Sequence, residues 1–287
     1  MKSNKILFMV VEVTIYNRGI SNQKLKLLDV ILQGMRYGSF DDYFRLNENK
    51  IDKSIVVFDS KKICRGHEVS LDDELILLTL TLPTNENDII YFYHHIKCIC
   101  QMIGTNIFTR DGTETSLDHI DSFIELDKAA SIHALQNMQT RINNGEFENM
   151  CIYGAINPIT FDEKDLEMIE SDLEKFGNYM DKLQRLDVYY ARPNIYSRKD
   201  GTLFGIYVLS ENITSVFPLN PQPILFQTKI PQFFVTMVMD KELKGNVSYN
   251  DFIQNIDKSN KYDFNHFIIT LSKEEISNLL EKFKTEV

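Results

Sequence analysis

Four side chains on one stretch, His94, His95, Cys98 and Cys100, form the grouping closest to a metal site. Imidazole nitrogen and thiolate sulfur are donors that zinc prefers. On a helix His94 and Cys98 stand four residues apart and reach one ion, whereas Cys100 points to the other side. Structural zinc normally draws on two ligand pairs, and no second pair follows, with His67 and His119 as the remaining candidates. The reading is a packed helix with apolar cysteines and satisfied histidines, and no metal or other cofactor is expected. Cys151 falls in an apolar strand, where a thiol is inert. The histidines that would have to activate it, His119, His133 and His266, are remote in sequence.

The segment 185–199 offers different chemistry. Arg185, Arg192, Arg198 and Lys199 share it with a single acid, Asp187, and Tyr189, Tyr190 and Tyr196 are interleaved. Guanidinium forks beside phenol rings suit an anionic or planar ligand, or the hot spot of a protein interface. Read as a hairpin with strands 186–192 and 195–209, it supplies the candidate ligand- or partner-binding residues Tyr189, Tyr190, Arg192, Tyr196, Arg198 and Lys199. No catalytic residue is assigned. Alternation puts Tyr189 and Tyr190 on opposite sides of their strand, so one belongs to the surface and the other packs inward. The competing reading is a solvated face whose arginines pair with acids of the preceding helix. The loop 154–158 sits between a strand end and a helix start, where amides can receive an anion, although turn geometry alone also calls for its Gly and Asn. The proline run 217–223 is either a surface crossing or a rim for a partner.

Strong signatures are missing. The sequence contains no phosphate-binding Gly-x-x-x-x-Gly-Lys, no Gly-x-Gly-x-x-Gly, no His-Glu-x-x-His, no Gly-x-Ser-x-Gly and no Cys-x-x-Cys. With 41 acidic against 31 basic residues the net charge is −10, which argues against nucleic acid as a partner. Four unpatterned cysteines in 287 residues make no disulfide framework. The apolar start of the chain is too short for a signal peptide, and no run reaches the ~20 apolar residues that span a bilayer. The expected location is the cytoplasm, with no membrane partner.

The elements that must position these side chains follow from periodicity. Strands are expected at 5–16, 54–64 and 74–82, with a short helix carrying Leu28, Ile31, Leu32 and Met35 between the first two. Thr84 is read as the cap of a helix at 85–103. Its stripe Ile89, Phe92, Tyr93, Ile96, Ile99, Cys100 and Ile103 is apolar, and its back carries little charge, so both faces are expected to be covered, the second by the other half of the chain or by a second subunit. The pair Asp111-Gly112 marks a hairpin turn. A helix at 116–144 is expected to kink, or to divide into two helices, near Asp127 and Lys128, where its apolar phase breaks, and Asn143-Asn144-Gly145 stops it. After a strand at 150–156, Thr160 and Glu163 fit a capping box for one helix through Leu166, Ile169, Leu173, Phe176, Met180 and Leu183. Strands at 233–239 and 265–270, a short helix at 248–256 and a final helix capped by Ser272 and Glu275 complete the chain.

Three stretches carry a likeness to known sequences: Leu82-Pro83-Thr84-Asn85-Glu86-Asn87-Asp88-Ile89, Gly154-Ala155-Ile156-Asn157-Pro158-Ile159, and Tyr196-Ser197-Arg198-Lys199-Asp200-Gly201-Thr202-Leu203-Phe204-Gly205-Ile206-Tyr207. Together they resemble an uncharacterised bacterial family filed among domains of unknown function. The resemblance spans most of the chain and implies a bacterial cytoplasmic protein, with no activity and no catalytic residue to carry over.

The resulting expectation is an α+β fold, its mixed or antiparallel sheets covered by helices. The boundary is placed at Gly145, giving halves 1–145 and 146–287, with a single domain left open. A strand, a Ser/Thr cap and a helix recur at 75–103, 150–183 and 266–283, which either makes the halves relatives or reflects reuse of a common unit. The function read from the residues is a non-catalytic interaction or regulatory protein that uses the Tyr/Arg hairpin to hold another protein or an anionic small molecule. The alternative is a small-molecule hydrolase or transferase with a pocket between the halves.

Overall fold

A computed structural model describes residues 9–17, 23–72, 74–223 and 228–287. It is a mixed α+β fold that packs as two compact units, one up to Arg185 and one from Leu186. The boundary expected at Gly145 lies inside the first unit. Segment 146–185 stays there because Gln184 donates through Nε2 to Cys64 O (2.6 Å) and Asp181 accepts the Ile63 amide (2.6 Å).

The first unit comprises β1 (Met9–Tyr16), β2 (Met35–Phe40), β3 (Leu46–Glu48), β4 (Ser54–Asp59), β5 (His67–Leu71), β6 (Leu75–Leu82), α1 (Glu86–Met102), β7 (Ile107–Arg110), β8 (Thr113–Ser116), α2 (Ile120–Asn143), β9 (Met150–Tyr153), β10 (Pro158–Phe161), α3 (Glu163–Ile169) and α4 (Leu173–Gln184). Eight of its strands form one antiparallel sheet in the order β3-β2-β4-β5-β6-β1-β7-β8. The alternation in β6 turns Ile76, Leu78, Leu80 and Leu82 onto the core, where they meet Ile89, Phe92, Ile96 and Ile99 of α1. The Asp111-Gly112 pair makes the β7–β8 turn, both residues adopting positive φ (49° and 79°).

Several expectations fail for local reasons. The stretch holding Leu28, Ile31, Leu32 and Met35 is a 3-10 turn, Leu27–Val30, that runs into β2, so its helical spacing is coincidental. Within this chain the described residues cover helix α1 on one side, for His94, Lys97 and Gln101 are exposed and Ile90 is 46 % exposed. Its cap is Asn85, which accepts the Asp88 amide, and not Thr84. Helix α2 is one helix and not two, because Asp127 occupies a core position as a paired carboxylate and only imitates a phase change. The helix expected through Leu166 and Leu183 is two: Glu170 and Ser171 take left-handed φ (55° and 57°), and Asp172 caps α4 afresh. Thr160 belongs to β10, and the capping box of α3 is Asp162 with Asp165.

The second unit comprises β11 (Tyr189–Tyr190), β12 (Asn194–Ser197), β13 (Leu203–Ser210), β14 (Ser215–Pro218), β15 (Gln232–Met239), β16 (Glu242–Ser248), α5 (Tyr249–Gln254), β17 (His266–Ile269), α6 (Lys273–Phe283) and β18 (Lys284–Thr285). It holds a five-stranded sheet, β12-β13-β15-β16-β18, and a three-stranded sheet, β11-β14-β17. Tyr207, Val235, Met237, Phe217 and Phe267 from the two sheets share one core with Phe252 of α5 and Ile276 of α6. The Ser272–Glu275 capping box of α6 forms as its spacing predicts.

Candidate functional site

The six candidate residues do not lie on one hairpin. Tyr189 and Tyr190 form β11, which runs parallel to β14 in the three-stranded sheet. Tyr196 lies in β12, which pairs with β13, and Arg198 and Lys199 follow in the turn of that hairpin. Residues 191–193 join the two strands, with Arg192 exposed between buried Ala191 and Pro193. Arg185 stands apart in the first unit as the C-cap of α4. Its Nε donates to both oxygens of Asp181 (2.7 Å each) and its Nη2 to Ser60 O (2.7 Å). At Arg185, pairing with an acid of the preceding helix describes what is found.

Tyr189 and Tyr190 divide as alternation requires. Tyr189 is 43 % exposed, while Tyr190 packs edge-on against Tyr262, with ring centroids 5.5 Å apart. The Tyr190 hydroxyl lies 3.1 Å from His266 Nε2, and His266 Nδ1 lies 2.8 Å from Oδ1 of Asp263, which is fully buried. A carboxylate on one ring nitrogen takes the N–H there and leaves the other nitrogen to accept from a phenol. The relay Asp263–His266–Tyr190 thus pins a two-residue strand from behind and aims Tyr189 outward. The sequence reading did not see it, although Asp263 and His266 stand three apart where a strand begins.

Tyr196 is 48 % exposed and stacks on Phe204, its cross-strand partner, at 5.5 Å and 26°. The Arg198 guanidinium lies over the same ring, 5.0 Å from its centroid, and Nη1 donates to Gln232 Oε1 (2.8 Å). Lys199 is exposed beside Asp200, whose carboxylate accepts the Thr202 amide (2.9 Å) and fixes the turn. A tyrosine and a guanidinium are therefore held against one phenylalanine, with their outer surfaces in water.

The other candidates are structural. The loop 154–158 closes a β9–β10 hairpin and starts no helix, and the Ile156 amide donates to Gln184 Oε1 (2.7 Å). Pro218 and Pro221 lend their carbonyls to core tyrosines Tyr249 (2.5 Å) and Tyr207 (2.8 Å), while residues 224–227 lie outside the described residues. All four cysteines are free. Burial pushes the Cys64 thiol far up and that of Cys100 to about 12, so neither is a thiolate at neutral pH. Cys98 Sγ lies 3.6 Å from His94 Nε2 on the open side of α1. Among the described residues no group of three or more His, Cys, Asp and Glu side chains could hold a metal ion.

Two buried polar clusters surround α1. Asp88 Oδ2 accepts the amides of Arg65 and Gly66 (2.8 Å each) and the Thr84 hydroxyl (2.6 Å). Arg65 spans from there, donating to Tyr153 O (3.0 Å) and Pro83 O (2.9 Å), and burial lowers its guanidinium to about 10. In the second cluster Asp127 accepts from Tyr93 (2.6 Å) and Arg110 (2.5 Å). Burial first, and then the Asp127 carboxylate, push the Tyr93 phenol well above its ordinary range. Both clusters fasten elements to one another.

Among the described residues no helix is long and apolar enough to cross a membrane. No curated protein matches the chain, and no solved structure does. The family described as Domain of unknown function (DUF4299) matches residues 10–279, so its model covers both units, and the chain belongs to that family.

Proposed function

We propose that the chain is a non-catalytic interaction or regulatory protein of the cytoplasm. Its second unit would present Tyr189, Arg192, Tyr196, Arg198 and Lys199 to an acidic protein partner, with Tyr190 acting from below as the anchor. The observation that carries this reading is the Tyr196–Phe204–Arg198 stack. A ring and a guanidinium are ordered in advance yet left in water, which lowers the entropy lost when a partner covers them. Tyrosine brings contact area with few rotors, and arginine brings donors in a fixed fork. In a chain of net charge −10, this basic surface stands out as the place that attracts acidic groups.

The test is a pull-down from cells of the source organism with wild-type protein and with the double variant Arg192→Ala/Arg198→Ala. The variant should keep the wild-type urea midpoint to within about 0.5 kcal/mol of stability, and lose whatever partner the wild type retains. An unfolded variant, or one that keeps the same partner, would refute the reading.

A further inference from the structure

A pair of histidines in the first unit is used by none of the arrangements above. His67 of β5 is 2 % exposed and His95 of α1 is fully buried. His67 Nε2 lies 2.7 Å from His95 Nδ1, and His95 Nε2 lies 2.6 Å from the carbonyl oxygen of Val30, at the end of the 3-10 turn Leu27–Val30. The two contacts fix every proton in the relay. A carbonyl only accepts, so His95 Nε2 carries hydrogen, and a neutral His95 then has a bare Nδ1. His67 Nε2 must donate to it, which leaves His67 Nδ1 as a bare lone pair, and that atom is buried without a partner.

We infer that His67 and His95 form an acid-released latch, which in its neutral form ties the turn Leu27–Val30 to α1 and β5 and which opens when it gains one proton. The proton has two places to go. On His67 Nδ1 it creates a buried N–H with no acceptor, on a ring that has become a cation. On His95 Nδ1 it sets two N–H groups against each other across 2.7 Å. The first outcome keeps both hydrogen bonds but buries a cation with an unsatisfied N–H, the second breaks the bond between the rings, and both are relieved when the pair opens to water. Among the described residues no carboxylate is bonded to either ring. Ionisable groups near the pair in sequence or on the paired strand are Tyr91, His94 and Cys98 on α1, Glu68 on β5, Asp59 at the end of β4 and Asp29 in the turn. Glu68 is engaged by the Ser54 hydroxyl, and Asp29 caps the Lys26 amide. The charges that act on the two rings come from His95 on His67 and from His94 on His95, and both oppose protonation.

The direction agrees with this geometry. Burial lowers His67 well below the ordinary histidine range and His95 to about 4. A histidine depressed in the folded state contributes stability that is intact above its unfolded value near 6.5 and is lost as pH falls from there toward the folded value. For His95 alone this raises the opening equilibrium about thirtyfold at pH 5. The released turn carries Val30, which is fully buried when the latch is shut, and Leu25 just before it, which is 5 % exposed.

Amide hydrogen exchange on the wild-type protein, corrected for intrinsic rates, tests the latch. The Ile31 amide, bonded to Leu28 O across the turn, should open at least tenfold more often at pH 5 than at pH 7, with α4 and the second unit unchanged. An opening constant independent of pH would overturn the proposal. The double variant His67→Gln/His95→Gln should flatten the pH dependence, and an unchanged slope would count equally against it. Should that variant fail to fold, nitrogen-15 spectra of wild-type histidines decide. They should show His67 neutral at pH 7 with hydrogen on Nε2, and an imidazolium or the opposite tautomer would sink the latch.

Discussion

Two buried carboxylates anchor the two units in different ways. Asp88 is 1 % exposed, and every group it holds, from Arg65 and Gly66 to Thr84, is interior to the first unit. Asp263 is as deeply buried, but its chain of contacts runs outward through His266 to Tyr190, whose strand neighbour Tyr189 stands in water. The first arrangement joins chain segments, and its mutation should be felt as lost folding. The second arrangement orients a surface, and its mutation should be felt mainly at that surface. Burial of an acid is therefore no guide to its role until the far end of its hydrogen-bond chain has been found.

Asp88→Ala is the sharpest way to break this contrast. It strands two amides, a hydroxyl and the nearby Arg65 charge in the interior, and should cost about 3–5 kcal/mol, measured by urea unfolding. A loss under 1 kcal/mol would mean that the cluster is not a fastening. Tyr190→Phe removes one hydroxyl from the outward relay and should cost about 1 kcal/mol, with a larger proportional loss of partner binding. If stability falls and binding does not, Tyr190 is only a core residue. His94→Asp marks where the first cluster ends. On the open side of α1 it should change stability by less than about 0.5 kcal/mol, and a strong loss would show that a second molecule covers this side.

The sequence was legible where a signal is local and chemical. The Ser272–Glu275 box, the Asp111-Gly112 turn and the strand Leu75–Leu82 each follow from residues adjacent in the chain. It misled where tertiary partners rewrite a local pattern. Asp127 reads as a break in an apolar stripe until Tyr93 and Arg110 are placed beside it. The apolar spacing from Leu166 to Leu183 continues in phase across Glu170 and Ser171, so the left-handed turn there leaves no trace in periodicity. The strands β2, β3 and β16 carry little pattern of their own and are marked out only by the strands they pair with. Of the candidate surface, the residue types and the inward–outward split of Tyr189 and Tyr190 were readable. Its division between two sheets was not, because nothing local says that β11 pairs with β14 while β12 turns back on β13.

The parallel pair β13–β15 has a consequence for how the second unit acquires its structure. Its register runs from Phe204 opposite Gln232 to Ser210 opposite Val238, and the roughly twenty residues between the strands must be closed into a loop at about 2.7 kcal/mol of chain entropy. That loop also contains β14, which belongs to the other sheet, so neither sheet is complete until the crossover has been made. The β12–β13 and β15–β16 hairpins are local and can form early, whereas the parallel seam waits for both. Refolding of this unit should accordingly proceed as one slow cooperative event, timed by the search for that seam and not by either hairpin.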